Sequence, residues 1–291
     1  MANRFAAIDI GSNAVRLLIG EIATENGHRF VNKISYTRIP LRLGEEVFVT
    51  GVISDKKRED FIKAMKAFSL IAEIFKVKAL RACATSAMRD AGNGQQIIDA
   101  VYTATGIPIE IISGDEEARL IFGTFALLDI SKNKPYLVID VGGGSTEITV
   151  FEHGKRVAAK SFDIGTVRIL KEKVVEEDWD ALAEWIAGHV ENNPHTIYAT
   201  GGNINKVHKL VGVKEKAPLK LAAIDQLYEA LAPLSLGQRM DQFGLKPDRA
   251  DVIVPALEIF RFCMMKMNCK ELVVPKIGLS DGMVVDMDER M

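Results

Sequence analysis

The sequence predicts an α/β protein made of two similar domains, and three observations support this prediction. The chain has 291 residues, which is about twice the usual length of one domain. Segments with strand character alternate with segments of helical periodicity in both halves of the chain. A short pattern also occurs twice, 131 positions apart: an aromatic residue, three apolar residues, aspartate, one apolar residue and glycine.

The two copies of this pattern, at 5–13 and 136–144, each run into a second apolar stretch and are predicted to form β-hairpins. Their register aligns Asp9 with Asp140 and Gly11 with Gly142. A buried strand that ends in a carboxylate and a small-residue turn gives a tip that phosphate can approach. Two such hairpins facing each other predict two similar domains with a phosphate site in the cleft between them.

Apolar spacing assigns the remaining elements of the first half. Between residues 54 and 75 apolar side chains recur at helical spacing, and Ser54 is a suitable N-cap. Ser113 and Glu116 match a capping box, which predicts a helix from there to about residue 128. We predict strands at 5–10, 15–22, 30–39, 78–84 and 109–112, and helices at 54–75, 94–105 and 113–128.

The second half repeats this order with variations. The polar, proline-containing segment 131–135 is where we expect the domain boundary, which gives domains at 1–130 and 131–291. We predict strands at 136–141, 147–151, 156–162, 196–200 and 272–274, and helices at 165–173, 179–190, from 204, 224–232 and 249–267.

Composition indicates a cytoplasmic enzyme. The chain is 48% hydrophobic and 26% charged, as in ordinary globular proteins. A net charge of -2 gives no basic field for nucleic acid. The first 30 residues lack an export signal, and no apolar run is long enough to cross a membrane. Cys83, Cys263 and Cys269 lack CxxC spacing, which is typical of reduced thiols, and the five histidines show no zinc-ligand spacing.

The glycine-rich segment 142–147 is a candidate phosphate loop. It lacks the Gly-Lys-Ser/Thr end of a Walker A loop, and Glu147 breaks the dinucleotide-binding glycine pattern. Strand character follows it, so Gly142, Gly143 and Gly144 are predicted to form a hairpin tip whose N–H groups reach phosphate oxygens. The structural alternative is a plain tight turn.

Four acidic residues are candidates for metal or base chemistry. Asp140 and Glu147 flank the tip on paired strands, which suits Mg²⁺, although both could also be ordinary surface carboxylates. Glu116 is expected to be the capping-box partner of Ser113. Glu117 is a candidate general base at a helix N-terminus, and a solvated helix face explains it equally well.

Basic residues offer further anion contacts. The segment 85–89, with two hydroxyls and Arg89, could clamp phosphate or be an ordinary loop. Arg16 is the one charge in the apolar stretch 15–19 and is expected to form a salt bridge or bind a ligand. A lysine run could hold a polyanion tail or be solvated surface; its members are Lys206, Lys209, Lys214, Lys216 and Lys220.

Five segments together resemble the exopolyphosphatase and guanosine pentaphosphate phosphohydrolase (Ppx/GppA phosphatase) family of the actin-like superfamily. The resemblance runs from residue 5 to about residue 282 and is specific for the family rather than for the substrate. The segments that carry it are 8–13 with Arg16, 84–91, 112–120, 140–147 and 200–203.

The resemblance implies two ribonuclease-H-like domains with mixed sheets flanked by helices, around a cleft. It implies Mg²⁺-dependent release of the terminal phosphate from polyphosphate or pppGpp, and it suggests a homodimer. Glu117 would activate the attacking water, and Asp140 and Glu147 would bind the metal, with Asp9 as a further candidate ligand. The residues expected around the phosphates are Ser12, Asn13, Arg16, Arg89, Gly142, Gly143, Gly144, Ser145 and Gly202.

Some features depart from the family pattern and keep alternatives open. Ala14 stands where many members carry a hydroxyl residue, and Asn203 replaces a commoner threonine or serine. Longer relatives add a C-terminal helical domain, so processive degradation of long polyphosphate is less expected here than hydrolysis itself. A kinase or ATPase of the same superfamily, or a (p)ppGpp-binding sensor without turnover, are the alternative functions.

Overall fold

The protein consists of two compact units. A computed structural model describes residues 3–125, 127–128, 134–190, 196–214 and 217–291. The first unit comprises Met1–Ile130 together with Ile277–Met291, and the second comprises Ser131–Lys276. Within the expected boundary segment 131–135, residues 131–133 lie outside the described residues.

The first unit contains a five-stranded mixed sheet in the order β3-β2-β1-β4-β5. The hairpin strands β1 and β2 are antiparallel, as are β2 and β3, whereas β1, β4 and β5 run parallel. The buried, nearly continuous apolar run of β1 is typical of a central strand covered on both faces. The strands are β1 (Arg4–Ile10), β2 (Val15–Glu25), β3 (His28–Ile39), β4 (Ala79–Ala84) and β5 (Ile109–Ile111).

Helices of the first unit follow the predicted periodicity where they are long. The predicted N-cap is confirmed, because the Ser54 side chain accepts a hydrogen bond from the Lys57 amide. Two short helices were not predicted, since each is too short for apolar periodicity to reveal it. The helices are α1 (Leu43–Thr50), α2 (Asp55–Ile74), α3 (Ser86–Asp90), α4 (Gly94–Thr105) and α5 (Gly114–Phe125).

The second unit repeats the same sheet core. Its strand order is β10-β11-β9-β6-β7-β8, in which β6, β7 and β8 are antiparallel neighbours and β6, β9 and β11 run parallel. The order β8-β7-β6-β9-β11 matches β3-β2-β1-β4-β5 of the first unit. The strands are β6 (Tyr136–Val141), β7 (Thr146–Glu152), β8 (Lys155–Phe162), β9 (Thr196–Thr200), β10 (Leu219–Lys220) and β11 (Glu271–Val273).

One helix dominates the core of the second unit. The apolar segment Ile253–Lys266 packs against neighbouring helices and the central strand β6. Phe260, Cys263 and Met264 belong to the core, whereas Met265 is exposed. The helices are α6 (Thr166–Leu170), α7 (Glu176–His189), α8 (Gly202–Val211), α9 (Leu221–Leu231), α10 (Leu236–Phe243), α11 (Pro247–Ala250) and α12 (Ile253–Lys266).

The C-terminal segment corrects the expected domain division of 1–130 and 131–291. Helix α13 (Leu279–Glu289) packs on α5, β1 and β2 of the first unit. Gly282 permits a close approach, because a Cβ at this position would collide with the carbonyl of Leu120. Asp286 also receives hydrogen bonds from Arg81 at 2.7 Å and Arg119 at 2.9 Å. Because these contacts join residues far apart in sequence, local patterns could not predict them.

A search of the described residues for a membrane-spanning helix found none with sufficient length and apolar character.

Candidate phosphate and metal site

The glycine tip of the second unit is held by hydrogen bonds from the start of α6 to its carbonyl groups. The Gly142 amide donates to the Ser145 carbonyl at 2.9 Å, which closes the turn between β6 and β7. A Cβ on Gly165 would lie 2.5 Å from the Gly143 oxygen, so glycine is required for this approach. The carbonyls of 142, 143 and 144 accept hydrogen bonds from Thr166 N at 3.1 Å, Val167 N at 2.7 Å and Arg168 Nε at 2.7 Å.

This arrangement orients the amides of the tip. A trans peptide points its C=O and the following N–H in opposite directions. Since the three carbonyls face the start of α6, the amides of Gly143, Gly144 and Ser145 face the other way. None of these amides donates to another group within the described part of the chain. Three consecutive amides that face the same way at a turn are suited to phosphate oxygens.

Two buried carboxylates stand beside the tip. Asp140 on β6 pairs directly with Glu147 on β7, and the residues are 9% and 5% exposed. A carboxylate oxygen of one lies within 4.8 Å of a carboxylate oxygen of the other. Two negative charges at this distance repel each other in a partly dehydrated site unless a cation or a proton accompanies them.

Neighbouring residues set the positions of these carboxylates. Ser161 on β8 donates a hydrogen bond to Glu147 Oε1 at 2.7 Å. Gly201 has φ +100°, and a Cβ there would lie 2.7 Å from Asp140 Oδ1. Glycine is therefore needed at 201 both for the backbone conformation and for the space that the Asp140 carboxylate occupies.

Arg249 joins the site at the start of α8, and sequence reasoning missed it. Its Nη2 lies 2.6 Å from where a Cβ on Gly202 would be, and its Nη1 donates to Asn203 Oδ1 at 2.8 Å. Asn203, which departs from the family pattern, thus holds a guanidinium beside the paired glycines. No local signal around residue 249 could have indicated this, because 46 residues separate the two partners.

Part of the lysine run adds positive charge to the same helix. Burial, together with the charges of Lys209 and Arg249, lowers the pKa of Lys206. Lys206 on α8 therefore lies within electrostatic reach of both Lys209 and Arg249. Lys216, another member of the run, lies outside the described residues.

The first hairpin has the same turn but a different charge pair. The Gly11 amide donates to the Ala14 carbonyl at 3.1 Å, at the positions equivalent to 142 and 145. Asp9 pairs with Arg16 across β1 and β2, and the ion pair measures 2.5 Å. Asp9, the further candidate metal ligand, therefore already has a guanidinium partner.

The tip of the first hairpin is anchored in a similar way. The carbonyls of Ser12 and Asn13 accept hydrogen bonds from the Gly44 and Arg42 amides at 2.9 and 3.0 Å, where α1 begins. The buried Ser12 hydroxyl lies 2.8 Å from that of Ser86, the first residue of α3. The structure thus brings the predicted segments 11–14 and 85–89 into contact.

Glu117 lies in the first turn of α5, half-buried, in a turn that carries three acidic residues. The predicted capping box is only half formed, because Ser113 caps the Glu116 amide but the Glu116 carboxylate does not return the bond. That carboxylate instead pairs with Arg119 and Arg81 at 2.7 and 3.5 Å among the described residues. The hydrogen bond from Arg119 lowers the pKa of Glu116.

Arg89, a predicted phosphate ligand, contacts the backbone just before the same helix. Its Nη1 donates to the Ile112 carbonyl at 2.9 Å, one residue before the cap of α5. Arg89 therefore links α3 to the start of the helix that carries Glu117.

Comparison with known proteins identifies the family. The model of the Ppx/GppA phosphatase family matches residues 22–291. Exopolyphosphatase 1 of Mycobacterium tuberculosis is 26% identical over 303 aligned residues, which cover 97% of this chain and 87% of the relative.

Solved structures agree with this assignment. The crystal structure of the Aquifex aeolicus member of the Ppx/GppA family matches with a TM-score of 0.78 and 26% identity, covering 100% of this chain and 99% of that one. An exopolyphosphatase from Cytophaga hutchinsonii, at 21% identity, shares the fold with a TM-score of 0.84, covering 99% of each chain. The predicted α/β, actin-like fold with two mixed sheets flanked by helices is confirmed. The chain belongs to the Ppx/GppA phosphatase family and is a hydrolase.

Proposed function

We propose that this protein is a Mg²⁺-dependent phosphoanhydride hydrolase that releases the terminal phosphate of inorganic polyphosphate, pppGpp or both. The observation that carries the proposal is the glycine tip of the second unit, where three outward-facing amides lie beside the Asp140–Glu147 pair. Family membership and the exopolyphosphatase relatives support the substrate class.

The donor set at the second hairpin fits Mg²⁺. Asp140 and Glu147 offer hard oxygen ligands, and their two charges are buried together. A divalent cation balances both charges, whereas a single proton balances only one. These two residues would hold the ion, and when bound it would withdraw charge from the phosphate oxygens.

The chain's own groups account for most of the remaining chemistry. Phosphoanhydride hydrolysis needs a positioned water and donors for the charge that develops on the transferred phosphoryl group. The amides of 143–145, with Gly142 closing the turn and Gly202 beside Arg249, are the proposed donors in the second unit. In the first unit the proposed contacts to phosphate are Ser12, Asn13, Arg16 and Arg89.

Glu117 is the proposed general base. It would take the proton of the attacking water as the bond to the phosphorus forms. Its place in the first turn of α5 supports this role, because the helix dipole favours the ionised carboxylate there. Its neighbour Glu116 forms ion pairs with Arg119 and Arg81, so we assign Glu116 a structural role.

A substrate panel tests the proposed function. Phosphate release is measured from tripolyphosphate, long polyphosphate, pppGpp and ATP, each with Mg²⁺ and with EDTA. We expect Mg²⁺-dependent release from polyphosphate or pppGpp and little from ATP. Release from ATP alone would support a kinase or ATPase, and tight pppGpp binding without release at any Mg²⁺ concentration would support a sensor.

Replacing the proposed base gives a sharper test. Glu117→Gln should lower kcat about 100-fold or more while the thermal midpoint stays near that of the wild type. Asp115→Asn is the matched control, because it removes a carboxylate from the same turn at an exposed position. Unchanged kcat in Glu117→Gln would remove Glu117 from the mechanism.

We also propose a cytoplasmic location and a homodimer. The three cysteines are free, and burial raises the pKa of Cys83 and Cys263 to about 12, which suits unreactive thiols in a reducing compartment. Light scattering of the purified chain tests the dimer directly.

A further inference from the structure

Four residues form one row across the sheet of the second unit. Thr200 on β9 pairs with Asp140 on β6, and Asp140 pairs with Glu147 on β7. Glu147 in turn pairs with Ser161 on β8. Directly paired residues of neighbouring strands project their side chains from the same face of a sheet. The row therefore presents two carboxylates flanked on each side by a hydroxyl.

The two hydroxyls differ in their partners. Ser161 already donates to Glu147 Oε1 at 2.7 Å. Thr200 is 1% exposed, and its Oγ1 has no hydrogen-bond partner in the described part of the chain. A buried hydroxyl without a partner is unfavourable, so a residue that retains one needs an explanation.

We propose that Thr200 is a positioning residue for the metal site, whose hydroxyl binds a water ligand of the ion held by Asp140 and Glu147. This inference rests on the proposed function and extends its metal site to β9. Mg²⁺ retains several waters when two carboxylates hold it, and those waters need acceptors and donors from the protein. Thr200 Oγ1 is a buried group of that kind, and it lies next to Asp140 in the row.

The neighbourhood of Thr200 supports this role. Gly201, the next residue, leaves room for the Asp140 carboxylate, since a Cβ there would lie 2.7 Å from Oδ1. The end of β9 therefore leaves space for the carboxylate at 201 and places Thr200 beside Asp140 in the sheet. A valine at 200 would keep the shape and remove only the hydrogen bond.

The test measures metal binding by the full-length, metal-free protein. Binding of Mn²⁺ is followed by electron paramagnetic resonance, and binding of Mg²⁺ by calorimetry, without substrate. The variants are Thr200→Val, Thr200→Ala and Thr200→Ser, with Asp140→Asn as the reference for loss of a ligand. Thermal midpoints are recorded without metal and with excess Mg²⁺.

Removing the hydroxyl should weaken metal binding without harming the fold. We expect Thr200→Val and Thr200→Ala to lower metal affinity about 10-fold or more, and Thr200→Ser to stay near the wild type. The metal-free thermal midpoint of Thr200→Val should equal or exceed that of the wild type, because an unpartnered buried hydroxyl is lost. A purely structural role would lower that midpoint and leave metal affinity unchanged.

The outcomes separate this inference from the proposed function. If Asp140→Asn abolishes metal binding while Thr200→Val and Thr200→Ala bind as tightly as the wild type, the role of Thr200 is overturned and the metal site stands. If the wild type binds neither ion, both the metal site and the role of Thr200 are overturned.

Discussion

The two hairpins share one turn geometry and differ in the charged residue opposite the aspartate. Each has a glycine amide that donates to a carbonyl three residues later, and each has an aspartate at the end of its first strand. Opposite that aspartate the first hairpin carries Arg16 and the second carries Glu147. The first pair joins opposite charges, whereas the second places two carboxylates side by side, which is where we propose the cation.

The difference extends along the rows to which the aspartates belong. In the first unit Asp9 lies between Cys83 and Arg16, and Arg16 pairs with Arg38 on β3. In the second unit the corresponding row contains Thr200, Asp140, Glu147 and Ser161. The two units therefore share their turn geometry, while one row carries carboxylate and hydroxyl oxygens and the other carries guanidinium groups. On this comparison we propose that the second unit holds the metal and that the first unit contributes contacts to phosphate.

Giving the second hairpin the charge pair of the first should have the largest effect. Glu147→Arg places a guanidinium opposite Asp140 and should abolish Mn²⁺ binding, with phosphate release lowered about 1,000-fold or more. Phosphate release and Mn²⁺ titration measure both effects. Glu152→Arg, the same charge change at an exposed position of β7, is the control. If Glu147→Arg still bound Mn²⁺, the carboxylate of Glu147 would not be needed for the proposed metal site.

Distorting the second tip should have the next largest effect. Gly165→Ala places a Cβ against the backbone of the tip, where no flexible side chain can move aside. We expect KM to rise about 10-fold and stability to fall by about 2 kcal/mol, since overpacking shifts the backbone. Gly188→Ala, at a helical position where a Cβ would meet nothing within 4 Å, should leave KM unchanged and raise stability by up to about 1 kcal/mol, because alanine has the higher helix propensity. Equal KM values for the two variants would show that the tip does not contact substrate.

Breaking the ion pair of the first hairpin should affect stability rather than metal binding. Asp9→Asn leaves Arg16 without its charged partner in a mostly buried site, and we expect a loss of about 2 kcal/mol in urea unfolding. Asp60→Asn, which breaks a surface pair with Lys63, should cost less than about 1 kcal/mol. Loss of Mn²⁺ binding in Asp9→Asn would instead make Asp9 a metal ligand.

The smallest effect concerns Cys83, which occupies the row position of Thr200. Burial raises the pKa of its thiol from 9.0 to about 12. The folded state therefore keeps this proton above pH 9 while the unfolded state loses it, so stability falls as pH rises from 9 towards 12. The share due to Cys83 at pH 10 is about 1 kcal/mol. Cys83→Ala should reduce the difference in unfolding free energy between pH 7.5 and pH 10, whereas Thr200→Val should not.

Much of the site could be predicted from sequence because its parts are local. Asp140 and Glu147 lie seven residues apart around a tight turn, so pairing of the two strands alone brings them together. Ser54 could be assigned as a cap because its partner is three residues away. Thr200 and Arg249 could not be found this way, since each meets the site through pairing or packing of distant segments.

Glu116 shows a second kind of limit. Its spacing from Ser113 satisfies a local capping rule, but Arg119 and Arg81 compete for its carboxylate and prevail. A charged hydrogen bond between ionised groups is stronger than one to a neutral amide. The local rule therefore identified the helix start correctly and the partner of Glu116 wrongly.

By itself, the sequence determined that the chain contains two hairpins with aspartates in one register, because strand periodicity and turn chemistry act over a few residues. Tertiary structure alone decided that α13 belongs to the first unit, and it also decided which groups surround each aspartate. The physical reason is that sheet pairing and helix packing join residues by distance in space. Asp286 meets Arg81 across 205 residues of chain, and no local pattern records that contact.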